Sequence, residues 1–223
     1  MKDKLTATFD IEGDGVSNPA RDLLFNGLGH YDKNTIPWCA TLCFDGKTET
    51  HVCKLPSTPR DLGCGYHSAY HKESTKVPTE LNGHRITVHS KLSDWMLGLT
   101  KSMSDLAEQG YELFFKTYYD SRFEFEEYFN YDIKVLCDTA NRVSSELEET
   151  DAARLKEYFD NMFNRHKAIV PVTNTTYWKY TSEQQSRGSF IDNQAYMIKG
   201  ITHNIEDAEQ LYRIIQEGKY KRV

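Results

Sequence analysis

The chain has 223 residues, with 39% hydrophobic and 27% charged side chains and a net charge of -6. That length accommodates one large domain or two small ones, with enough apolar residues for a real core. The acidic balance argues against a general basic coat for nucleic acid but leaves room for a local basic groove beside an acidic site.

The first strand is expected over Leu5 to Ile11. Its apolar run ends in Asp10-Ile11-Glu12-Gly13-Asp14-Gly15. In a strand, side chains two apart share a face, so Phe9 and Ile11 point one way and Asp10 and Glu12 the other. Adjacent carboxylates repel, and such a pair persists mainly when a proton or a cation lies between them. A hard cation such as Mg²⁺ or Mn²⁺ suits all-oxygen ligands. The plainer alternative is a strand end running into a polar turn at Gly13 and Gly15.

Residues 18 to 34 read as a Gly/Asn/Asp-rich loop. Pro37 to Phe44 is a second strand, Asp45-Gly46 a hairpin turn, and Lys47 to Leu55 a third strand, giving an antiparallel three-strand start. Residues 56 to 90 contain three prolines, Gly63, Gly65 and Gly83, and no sustained period. They read as an insertion or long loop within a single domain spanning 1 to 223. Ser93-Asp94 is a candidate cap for a helix through Glu108, with Trp95, Leu99, Met103 and Leu106 on one face and Gly110 as its stop. Tyr111 to Tyr119 reads as a buried strand leading to Asp120.

Arg122 to Asn130 reads as helical, Ile133 to Cys137 as a strand ending at Asp138-Thr139, Ser144 to Phe163 as a charged helix, and Val170 to Arg187 as loop. A terminal helix is expected over Asn204 to Gly218, with Ile205, Ala208, Leu211, Tyr212 and Ile215 as its apolar stripe. His203 then stands just before it and Asp207 in its first turn. The element order predicts an α/β fold, a mixed sheet flanked by helices.

Asp10, Glu12, Asp120 and Asp207 fall on elements whose ends can converge, as sites do at strand ends in open α/β sheets. Carboxylates gathered from separate elements make a two-metal site suited to phosphodiester hydrolysis. A nearby histidine, titrating near neutrality, can take a proton from the attacking water.

Asp10-Ile11-Glu12, Tyr119-Asp120, and His203 with Asp207 resemble the three motifs of the DEDD exonucleases. These are 3′–5′ exonucleases on an RNase H-like fold that include proofreading domains, oligoribonuclease and phage-encoded enzymes. The resemblance spans the chain in the expected order, and Asp138-Thr139 resembles an Asp-Thr often found in the family. It implies that Asp10, Glu12, Asp120 and Asp207 hold two Mg²⁺ or Mn²⁺ and that His203 is the general base. It further implies a single-stranded nucleic acid as substrate; DNA is favoured over RNA by analogy, because the compact size and divergent insertion are phage-like. Two departures stand out. Gly13 replaces the family's usual Thr, removing a side-chain contact to substrate while letting the backbone approach closely. His203 and Asp207 are four apart, where the histidine subfamily uses five; the tyrosine subfamily uses four, but Tyr196 is too far upstream to fit it.

Around these residues, Lys116 is a candidate phosphate contact, and Trp38, Tyr118 and Phe123 are candidate base-stacking rings, with core packing the default for any one of them. Arg21, Lys33 and Arg187 are loop cations of the right charge. Glu206 is expected to face solvent and Asp14 to be a turn residue. Cys53, Cys64, His67 and His71 have loosely ligand-like spacing for zinc but match no strong finger pattern; Cys39 and Cys43 read as small core residues on one strand face. Five cysteines without disulfide-like regularity point to a reducing cytoplasm, which is the host's if the chain is phage-encoded. Met1-Lys2-Asp3-Lys4 leads into no apolar leader core, and no run suits a membrane helix. Two other functions stay open: an exoribonuclease of the same fold, and a nucleic-acid-binding module without catalysis.

Overall fold

The computed structural model describes residues 5–14, 36–54, 76–115, 131–165, 169–171 and 193–222. Its centre is a six-stranded mixed sheet of order β4-β5-β3-β2-β1-β6. The strands are β1 (Leu5–Asp14), β2 (Ile36–Phe44), β3 (Lys47–Cys53), β4 (Glu80–Leu81), β5 (His84–His89) and β6 (Tyr111–Phe115). β1, β2 and β3 form the expected antiparallel start. β5 runs parallel to β3, and β6 parallel to β1. A second, two-stranded sheet pairs β7 (Ile169–Pro171) with β8 (Tyr220–Arg222). Asp45 and Gly46, both at positive φ (50° and 68°), make the tight turn joining β2 to β3.

Helices cover both faces of the large sheet, the expected α/β arrangement. On one face lie α1 (Leu92–Glu108), α2 (Tyr131–Val143) and α3 (Glu149–Arg165), which also pack on one another. On the other lies α4 (Asn193–Gln216), along β1 and β2. Strand alternation divides the side chains accordingly. Phe9 of β1 meets Phe115 of β6, ring centroids 5.1 Å apart, and joins Trp95, Met96 and Leu99 of α1 in the main core. On the α4 face, Phe114 packs with Leu211 and Ile215, and Tyr220 of β8 lies edge-on to Phe114. No helix among the described residues is long and apolar enough to cross a membrane.

Several expectations are corrected. Ile133 to Cys137 is not a strand but part of α2. Its buried Ile133, Leu136, Ala140 and Val143 are spaced three to four apart, and that stripe prevails over the β-branched composition. Residues 80 to 89 are not loop: Asn82 (φ 51°) and Gly83 (φ 83°) turn a short hairpin between β4 and β5. α1 is capped at Lys91 without a side-chain bond, and Ser93 is buried within its first turn. The charged helix α3 begins at Glu149, after a 3₁₀ turn at Ser144–Glu146. Finally, α4 begins at Asn193, eleven residues before the expected start.

That longer helix is placed by one close approach. A Cβ on Gly200 would lie 2.9 Å from Trp38 Cη2 and Cζ2, so only glycine lets α4 lie this near the buried indole.

Candidate metal centre

The site is built from β1 and α4. Thr8, Asp10 and Glu12 alternate onto the α4 face of the sheet, opposite Ala7, Phe9 and Ile11 in the core. The described pairing of β1 with β6 ends at Phe9–Phe115. Asp10 and Glu12 follow immediately, at the carboxyl end of this parallel pair, where open α/β sheets place their sites. A bulge between Glu12 and Gly13 breaks the β1–β2 register just beyond them. Bulges re-aim neighbouring side chains and are over-represented beside active sites.

α4 is fastened to this face by polar contacts as well as packing. Thr8 Oγ1 donates to the Ala208 carbonyl at 2.7 Å. Asn204, fully buried, donates from Nδ2 to Asp10 Oδ2 at 3.1 Å. Its Oδ1 accepts from Thr41 Oγ1 at 2.6 Å and from Cys39 Sγ at 3.4 Å. Thr41 lies 3.0 Å from Thr50 Oγ1. A hydroxyl has one proton, and Thr41 commits it to Asn204, so Thr50 donates to Thr41. The direction is therefore set along Thr50, Thr41, Asn204 and Asp10, crossing β3, β2, α4 and β1.

Asp10 is 3% exposed, while Glu12 and Asp207 are half-buried. One carboxylate oxygen from each lies within 4.8 Å of the others. At that separation, two charges in a protein-like dielectric near 20 repel by roughly 3 kcal/mol. The Asn204 hydrogen bond, worth about 1.5–3 kcal/mol to a charged acceptor, does not by itself offset three such repulsions. The donor set is three carboxylates, oxygen only, which fits a hard divalent cation. The same field reaches Cys39: burial first, then the Glu12 and Asp10 charges, hold its thiol well above the usual range, so it stays protonated.

His203 and Asp207 both lie inside α4, not at its start. Asp207 therefore cannot be read as a first-turn charge favoured by the helix dipole. The four-residue spacing puts the two side chains one turn apart on one helix face. Burial lowers the His203 pKa, partly opposed by Glu206 and Asp207. His203 Nδ1 lies 3.4 Å from Glu206 Oε2, and Glu206 is exposed, as expected. With Nδ1–H directed at that carboxylate, Nε2 carries the lone pair.

The structure thus brings together Asp10, Glu12 and Asp207 from opposite ends of the chain. Gly13 is in β1 at the bulge. Asp120, Lys116, Tyr118 and Phe123 lie outside the described residues, as do Arg21, Lys33, Arg187, Cys64, His67 and His71. Trp38 takes its default role as a core ring. Cys53 is buried in β3, and burial pushes its thiol up to about 12. Cys39 and Cys43 are buried on one face of β2. Asp138 and Thr139 do not follow a strand: both are inside α2, where Asp138 pairs with Lys134 at 3.2 Å and Thr139 donates to the Val135 carbonyl. They support no motif. Asn204 and Thr41 were not among the expected site residues. Their nearest sequence signal is a polar residue interrupting apolar positions on an inner face.

Compared with known proteins, the chain matches no family model, no curated protein and no solved structure.

Proposed function

We propose that the protein is a metal-dependent 3′–5′ exonuclease that hydrolyses phosphodiester bonds at the 3′ end of single-stranded DNA in the cytoplasm. The observation that carries this reading is the convergence of Asp10, Glu12 and Asp207 oxygens within 4.8 Å. It joins the first and third motifs of the DEDD resemblance. The mixed sheet flanked by helices is consistent with the RNase H-like fold that the resemblance implies.

Asp10, Glu12 and Asp207 would hold a divalent cation of the Mg²⁺ or Mn²⁺ class, and Asp120 would complete the ligands for two. Such ions lower the pKa of a bound water and neutralise charge on the departing oxygen. Asn204 keeps Asp10 Oδ2 engaged and so orients that carboxylate. His203, neutral near pH 7 because burial lowers its pKa, accepts the proton of the attacking water at Nε2. Gly13, without a side chain, leaves the backbone beside the carboxylates open to the substrate end; Lys116 and Phe123 are the remaining proposed substrate contacts.

The test is degradation of 3′-labelled and 5′-labelled single-stranded DNA and RNA with Mg²⁺ or Mn²⁺, by the natural chain and by Asp10→Ala. Mononucleotides released from the 3′ end by the natural chain alone are expected. Equal degradation by Asp10→Ala, or none by either, would sink the reading. Preferential degradation of RNA would make the enzyme an exoribonuclease.

A further inference from the structure

On the opposite face of the sheet from the carboxylates, four polar side chains meet between β3, β5 and α1. His51 is 4% exposed, and His89 is half-buried. His51 Nδ1 lies 2.9 Å from His89 Nε2, with the two rings nearly parallel at 17°. The other nitrogen of His51, Nε2, lies 2.7 Å from Glu49 Oε1, which also accepts from Ser102 Oγ at 2.5 Å.

Proton counting restricts this cluster. An ionised carboxylate only accepts, so His51 Nε2 carries a hydrogen. The 2.9 Å gap between the imidazoles has room for one hydrogen, because two facing N–H groups would clash and repel. The four ring nitrogens thus hold at most three protons while the contact is closed: one toward Glu49, one in the gap, and one on His89 Nδ1. The neutral pair already holds two. The closed pair therefore accepts a single further proton, whichever ring carries the charge.

His89 also packs closely on α1. A Cβ on Gly98 of α1 would fall 2.7 Å from His89 Cε1, so the ring rests against the helix backbone. The His89 carbonyl accepts from Lys54 N at 2.7 Å, and the chain enters α1 three residues later. The charged groups acting on the cluster are Asp94 on His89 and Lys101 on Glu49, both from α1. β2 offers only Ala40 and Leu42 as register partners of His51 and Glu49.

We propose that His51 and His89 form a proton-limited latch that stays closed with one added proton and opens on the second, releasing the end of β5 from β3 and α1. His89 is the ring that moves, because His51 is enclosed and tied to Glu49. Burial and the neighbouring His51 hold the His89 pKa below its ordinary value of 6.5, against a smaller upward pull from Asp94. The closed state is accordingly favoured at neutral pH and weakened as pH falls below that value.

The experiment uses the whole chain, with imidazole ¹⁵N resonances and amide hydrogen exchange of residues 84–89 followed from pH 8 to 4.5. Two separated proton-uptake steps are expected. Exchange protection of β5, corrected for intrinsic rates, should weaken as pH falls below 6.5 and go on falling by about tenfold per pH unit after the first step, when the closed pair is full. His89→Gln, which cannot take up a proton, should show no such fall. Uptake of two protons by the pair in a single step, with β5 protection unchanged, overturns the latch. The same loss of protection in His89→Gln also overturns it. If that variant does not fold, the natural chain's titration decides alone.

Discussion

The Asn204 side-chain amide donates to Asp10 Oδ2 at 3.1 Å, joining α4 to β1 across 194 positions of sequence. The bond fixes which way the Asp10 carboxylate faces and, through Thr41, ties it to β2 and β3. Partners that orient metal-ligating side chains tune the affinity of a metal site.

Asn204→Leu should therefore weaken Mn²⁺ binding by about 10–100-fold, read by calorimetry or by the Mn²⁺ spin-resonance signal. It also removes the hydrogen bonds that Asn204 makes with Thr41 and Asp10 Oδ2, which should cost about 1–3 kcal/mol of stability. Unchanged affinity in a folded variant would show that Asp10 is oriented by something else.

Asp207→Asn should have opposite effects with and without cation. In chelator, removing one of three converging charges relieves repulsion, and the melting temperature should rise. In Mn²⁺ the natural chain gains about 2.7 kcal/mol when the ion is present at a hundred times its Kd, and the variant should gain far less. The proposed nuclease activity should fall steeply. A variant destabilised equally in both conditions would remove the cation reading of this cluster.

Gly200→Ala adds one methyl where Trp38 already stands 2.9 Å away. α4 must lift or the indole must turn, at a cost of about 1–3 kcal/mol. A lowered urea midpoint with an unchanged m-value is the expected result. The Mn²⁺ affinity should fall as well, because α4 carries Asp207.

Glu49 gives the acid limb of stability a specific contributor. The hydrogen bond from His51, aided by Ser102 and Lys101, lowers its pKa below the ordinary 4.5 despite partial burial. A depressed acid contributes stability above its unfolded pKa, and that contribution is lost as pH falls through the folded value. Urea midpoints between pH 6 and 3 should drop less steeply for Glu49→Gln than for the natural chain.

The parts of the fold legible in the sequence are those specified locally. Alternation marks β1, β2 and β3, Asp45-Gly46 marks their turn, and Trp95, Leu99, Met103 and Leu106 mark α1. The errors occur where local and tertiary signals conflict. Ile133 and Val135 favour a strand by composition, yet α2 forms because its stripe finds a partner in α1 and α3. The start of α4 is hidden by Gly200, a poor helix former kept for its closeness to Trp38. Asn82-Gly83 carries a tight-turn signature, obscured by the proline-rich stretch before it. The convergence of Asp10, Glu12 and Asp207 is legible because carboxylates at motif spacing stand out on the elements that carry them. Asn204 is not, since an amide within a helix says nothing local about a carboxylate on a distant strand.

The union of β1 with α4 also orders events during synthesis. Chains elongate at roughly 5–20 residues per second, so the 194 positions between Asp10 and Asn204 take about 10–40 s to produce. Throughout that interval the nascent β1 carries its two carboxylates without their counterpart from α4. Assembly of the acidic pocket is thus a late event of synthesis, and a chain stalled before α4 would lack the pocket's third carboxylate.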